Sequence, residues 1–109
     1  MKIAIIGFGN MGQTYANSFM SSGFVGASDI LILNKTKIEE KNSFGIDVIN
    51  FYTEPNSQIF ESDILILAVK PQDFKLLASE IKTFLNPEHV ILSVMAGISI
   101  EAMQKELGV

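Results

Sequence analysis

The stretch that decides the fold is Lys2-Ile3-Ala4-Ile5-Ile6-Gly7-Phe8-Gly9-Asn10-Met11-Gly12. Its first part is an apolar run of strand length. Its second part spaces glycines as G-x-G-x-x-G at Gly7, Gly9 and Gly12, and a helical pattern continues to about Ser22, with Gly23 as its stop. A strand, a glycine bend and a helix opening on the last glycine are the setting in which this motif carries meaning. Gly7 permits a tight turn, Gly9 lets a pyrophosphate approach the backbone, and Gly12 lets the helix pack close to the strand. The free N–H groups at the helix start, with their partial positive charge, then face the phosphates. A glycine turn serving packing alone would not call for the strand before it, the helix after it and a second strand roughly 20 residues on.

Working outward, Ile30-Leu31-Ile32-Leu33 reads as that second strand. A short polar helix is expected over 37–44, ended by Gly45, then a weaker strand around 46–50 and an irregular stretch over 52–62 holding one helical turn. The run 64–69 is a third strong strand, and Pro71 opens a helix where its missing N–H costs nothing. In that helix Phe74, Leu77, Ala78, Ile81 and Leu85 form an inward stripe, and Asn86-Pro87 stops it. A fifth strand is expected over 90–95. The last helix opens near Ser99 with Ile100, Met103 and Leu107 on its apolar face.

Three central runs are apolar at consecutive positions, the pattern of strands covered on both faces. Five β–α units then imply one α/β domain over residues 1–109, a doubly wound, mostly parallel Rossmann-type sheet in three α/β/α layers. The β/α alternation still runs at Val109, which reads as a stop inside a larger architecture.

Composition excludes several function classes. Apolar residues make up 48% of 109, so the chain is no disordered tail. The longest apolar run is six residues, far below the roughly 20 that cross a bilayer. No cysteine and a single histidine, His89, leave no thiolate or histidine metal set and no cysteine nucleophile. A cytoplasmic location follows as the expectation, without membrane association. Twelve acids against eight bases give a net charge of −4, which argues against nucleic acid as a partner. All eight bases are lysine, so a bound anion must be held by backbone N–H groups, hydroxyls, amides or lysine point charges, without a guanidinium fork.

The end of the second strand carries the choice of dinucleotide. An NAD site places Asp or Glu there to bond the ribose 2′-hydroxyl. This chain has Asn34-Lys35-Thr36-Lys37 instead. A carboxylate ~4 Å from a 2′-phosphate would be repelled by roughly 4 kcal/mol at an effective dielectric of 20. Its replacement by an amide, a hydroxyl and lysines favours NADP, with NADPH preferred over NADH and Asn34, Lys35 and Thr36 as readers. The competing reading is an ordinary solvated loop.

Further candidates sit at the carboxyl ends of strands, where ligands bind in open α/β sheets. Ala68-Val69-Lys70-Pro71 ends the fourth strand and Met95-Ala96-Gly97 the fifth. Small residues there leave room for a ribose or a flat ring; a snorkelling Lys70 and a plain turn at Ala96-Gly97 are the alternatives. His89 reads as a surface-turn residue, Asp63, Asp73 and Ser99 as strand-edge or helix-cap residues, and Tyr15 and Phe19 as core.

G-F-G-N-M-G after strand one, N-K-T after strand two, A-V-K-P-Q after strand four and V-M-A-G-I-S-I after strand five together resemble pyrroline-5-carboxylate reductase, over the whole chain in order and spacing. The resemblance implies NADPH-dependent reduction of the cyclic imine 1-pyrroline-5-carboxylate to proline, in proline biosynthesis. It carries cofactor contacts onto Ile6, Gly7, Phe8, Gly9, Asn10 and Met11, onto Asn34 and Thr36, onto Ala68, Val69, Lys70 and Pro71, and onto Met95, Ala96 and Gly97. For an asparagine that meets the adenosine ribose, Asn56 is the nearest match, with Pro55 in the aligned position. The family continues through a sixth strand into a helical domain that forms the dimer and most of the imine pocket. Catalytic side chains and homo-oligomerisation are therefore expected outside this chain, and the fragment alone is expected to be inactive. A nucleotide-sensing module without reduction, or a reductase of another imine or hydroxyacid, are the rival functions.

Overall fold

Three central strands form because runs of Ile and Leu bury both faces of an extended chain, and a fourth, less buried, runs along the edge. They are β1 (Ile3–Ile6), β2 (Ile30–Leu33), β4 (Ile64–Leu67) and β5 (Val90–Ser93), and a two-residue β3 (Phe51–Tyr52) completes the sheet. All neighbours are parallel, in the order β3-β2-β1-β4-β5. This computed structural model describes residues 1–35, 45–46, 48–95 and 97–108.

Three helices are described: α1 (Asn10–Ser21), α2 (Pro71–Ile81) and α3 (Ile100–Leu107). Pleating divides the sheet's side chains between two cores. Ala4, Ile6, Leu31, Leu33, Leu65 and Leu67 meet Phe74, Leu77, Ala78 and Ile81 of α2 and Leu107 of α3. Ile3, Ile5, Ile30, Ile32 and Ile66 face the other way, onto Phe8, Ala16 of α1, and Val25. Each fully buried Ile or Leu contributes about 1.5–3 kcal/mol, so the two layers hold the strands in one register.

The expected doubly wound parallel sheet with helices on both faces is present. Several boundaries differ for physical reasons. The third strand is not at 46–50: Val48–Asn50 form a 3-10 turn, and Phe51 and Tyr52 pair with Ile32 and Leu33. Ile46 is instead buried against the α1-side core. α2 ends at Ile81 and tightens into a 3-10 turn over Lys82–Phe84 before Asn86-Pro87 is reached. β5 stops at Ser93, and as the edge strand it leaves Val90 51% and Leu92 47% exposed. Ile100 is 70% exposed, so α3 buries Leu107 and half-buries Met103 without it. Tyr15 and Phe19 are half-buried and continue into a ring contact with Phe24. The helix expected over 37–44 lies outside the described residues.

His89 is more than a surface-turn residue. Its Nε2 lies 2.6 Å from the Phe60 carbonyl oxygen, which can only accept, so Nε2 donates. Its Nδ1 then accepts the Asn86 N–H at 3.1 Å. The ring so fixed ties the turn before β5 to the segment before β4. Asp63 accepts the Lys2 N–H at 2.9 Å, and Ser99 caps α3 by accepting the Ala102 N–H at 3.0 Å.

Candidate functional site

The chain leaves β1 for β2 and β3 on one side and reaches β4 on the other, so the order reverses between β1 and β4. At the carboxyl ends of such neighbouring strands an open crevice forms. Gly7 sits at its base. Its N–H donates to the Leu33 carbonyl at 2.8 Å, and the Ala68 N–H donates to the Ile6 carbonyl at 2.8 Å, extending both ladders one step past the strand ends.

The three glycines have three different reasons. Gly7 has φ +98°, and a Cβ there would meet the Ala68 carbonyl at 2.8 Å and Val69 Cγ1 at 2.9 Å. A Cβ at Gly12 would run into the Gly7 carbonyl oxygen, so α1 packs as closely as it does only without one. At Gly9 a Cβ would meet nothing within 4 Å. Packing therefore accounts for Gly7 and Gly12 and leaves Gly9 as an open approach to the backbone.

The loop is held from both sides. The Phe8 N–H donates to Asn34 Oδ1 at 3.2 Å, and Gln13 Nε2 donates to the Phe8 carbonyl at 3.0 Å. The Phe8 ring is buried and meets Phe51 edge-on, with centroids 5.4 Å apart. Gly9 is the N-cap of α1, with no side-chain cap and no acid in the first turn. The helix start thus offers backbone donors and a positive end of the dipole to an anion.

A cavity of about 390 Å³ lies over this loop. Of the sequence candidates, Ile6, Gly7, Phe8, Gly9, Asn34, Lys35, Ala68, Val69 and Lys70 line it. Asn10, Met11, Gly12 and Pro71 flank it at the starts of α1 and α2 without lining it. Asn56 does not line it: its Oδ1 accepts the N–H groups of Gln58 and Ile59 at 3.0 and 3.2 Å, and Pro55 lines the cavity instead. Met95 does not line it either, being buried among core residues, and Gly97 is an exposed turn residue with φ +78°. Thr36 and Ala96 lie outside the described residues.

The structure adds Leu33, Thr53, Pro55, Asp73, Leu77 and Glu80 to the lining. Asp73, Leu77 and Glu80 stand four and seven positions apart on α2, hence on one face. That spacing is a sequence signal for a shared face, but it does not say that the face meets the strand ends. Two lysines, Lys35 and Lys70, and two acids, Asp73 and Glu80, give the cavity its charges. Lys35 Nζ and Glu80 Oε1 form an ion pair at 3.7 Å.

Residues 2–97 match the family model described as NADP oxidoreductase, coenzyme F420-dependent. The chain belongs to this family. As a member of the NADP oxidoreductase family it is 36% identical to the pyrroline-5-carboxylate reductase of Aquifex aeolicus over 109 residues, covering 99% of this chain and 38% of that protein. A pyrroline-5-carboxylate reductase structure from Coxiella burnetii superposes with a TM-score of 0.80 at 26% identity, covering 98% of this chain and 40% of that one. The Plasmodium falciparum pyrroline carboxylate reductase, solved with NADP bound, gives a TM-score of 0.80 at 18% identity, over 98% of this chain and 38% of that one. The chain spans about 40% of the length of the relatives it matches. Among the described residues no helix is long and apolar enough to cross a membrane, and no group of three or more His, Cys, Asp or Glu side chains is placed to hold a metal ion.

Proposed function

We propose that this chain is the dinucleotide-binding part of an NADPH-dependent reductase that converts 1-pyrroline-5-carboxylate to proline. The observation that carries the reading is the open Gly9 backbone at the reversal of strand order, beside an Asn34-Lys35 end of β2 that holds no carboxylate. The likeness to reductases of that name supports the substrate.

The residues present fit such a cofactor. Gly9 and the start of α1 would receive the pyrophosphate, because the bend leaves room for it and supplies unshielded N–H donors. Asn34 and Lys35, with Thr36 beside them, would read the adenosine ribose and its 2′-phosphate. Ala68, Val69 and Lys70 would border the nicotinamide half. When bound, the reduced nicotinamide supplies the hydride for the imine carbon. The chain's own task is to fix that cofactor and to keep its phosphates on the backbone; a cofactor that carries the chemistry asks little acid–base equipment of this part. The imine pocket and the oligomer interface belong, in this reading, to a helical domain outside residues 1–109.

The test is NADPH oxidation, followed by the loss of the reduced nicotinamide's absorbance, with 1-pyrroline-5-carboxylate and the 109-residue chain. The chain is expected to bind NADPH and to show no imine-dependent oxidation. Steady imine-dependent oxidation by the chain alone contradicts the assignment of the imine pocket to another domain.

A further inference from the structure

The ion pair of Lys35 and Glu80 joins two elements that line the cavity. Lys35 follows β2, Glu80 lies in the last turn of α2, and both side chains line the same space. The pair is an exposed one, with Lys35 67% and Glu80 35% accessible, so it exchanges partners readily. A phosphate on the adenosine 2′-oxygen that draws on Lys35 meets a carboxylate already paired with that ammonium. A ribose with a free 2′-hydroxyl makes no such demand.

We propose that Glu80 is a specificity-determining positioning residue: by competing for Lys35 it weakens the site's hold on 2′-phosphorylated adenosine and leaves the unphosphorylated form unaffected. The inference rests on the assignment of Lys35 to the 2′-phosphate. Glu80 thereby sets the ratio between the two nucleotides, and Lys35 sets its sign.

Calorimetric titration with adenosine 2′,5′-bisphosphate and with adenosine 5′-monophosphate tests this without any turnover. Glu80→Gln is expected to tighten the bisphosphate by about two- to five-fold, the scale of an exposed ion pair, with the monophosphate unchanged. Lys35→Gln is expected to weaken the bisphosphate selectively. In the double variant Glu80→Gln is expected to add nothing, because the contested ammonium is gone. Unchanged or weaker bisphosphate binding in Glu80→Gln overturns the proposal, as does an equal gain in the Lys35→Gln background. If Lys35→Gln itself leaves the bisphosphate untouched, the 2′-phosphate assignment falls and the proposal with it; a Lys35 effect without a Glu80 effect overturns the proposal alone. Both side chains are surface groups, and the monophosphate titration reports in every sample that the fold is intact.

Discussion

Asn34, at the end of β2, accepts the backbone N–H of Phe8 at 3.2 Å and so ties the second strand to the glycine bend 26 residues earlier. The amide does two things at once. It fixes the loop from the side on which the adenosine ribose would sit, and it leaves the end of β2 without a negative charge.

Replacing Asn34 by Ala removes that acceptor and is expected to destabilise the fold by about 1 kcal/mol, with weaker binding of NADPH and NADH alike. Asn34→Asp keeps the acceptor and adds a charge, so it is expected to spare stability and to shift preference toward NADH. Thermal unfolding together with parallel titrations of the two cofactors checks both. An Asp variant that still favours NADPH to the original degree would contradict the charge argument.

Gly9 and Gly12 separate packing from binding. Gly9→Ala puts a methyl where nothing lies within 4 Å, so stability is expected to stay within about 0.5 kcal/mol while NADPH affinity falls about tenfold or more. Gly12→Ala drives a methyl into the Gly7 carbonyl and is expected to cost about 1–3 kcal/mol of stability. Denaturant unfolding and cofactor titration on both variants give the comparison. A Gly9→Ala chain that binds as well as the original removes the backbone approach from the account.

His89 is expected to matter for stability alone. Its ring bridges the Asn86 N–H and the Phe60 carbonyl, and His89→Ala loses both hydrogen bonds. A loss of about 1–2 kcal/mol in denaturant unfolding is expected, with NADPH affinity unchanged after correction for the folded fraction. A selective loss of affinity would place this turn in the site.

Much of this was legible because the strong signals are local. Ile3–Ile6, Ile30–Leu33 and Ile64–Leu67 are unbroken apolar runs, and all three lie centrally in the sheet. The glycine spacing and Pro71 mark their helices for equally local reasons. The errors fall where tertiary contacts decide. Ile46 is apolar enough for a strand but is used as a core plug, while Phe51 and Tyr52 pair only because β2 lies beside them. The fifth strand was expected over 90–95 but ends at Ser93, and its edge position leaves Val90 and Leu92 half exposed. In the site, Leu77 was visible as a core residue but not as cavity wall, and Pro55 takes the place at which Asn56 was expected because Asn56 spends its side chain on the following turn. The Lys35–Glu80 contact joins residues 45 positions apart and left no local trace.

The central claim is that this chain holds a phosphorylated dinucleotide on its glycine bend. Titration of the chain with NADPH and NADH, followed by nicotinamide fluorescence, tests it most directly. The account predicts saturable binding at one site, with NADPH tighter by about tenfold, or about 1.4 kcal/mol. Equal affinity for the two would contradict the 2′-phosphate assignment, and no saturable binding of either would contradict the claim itself.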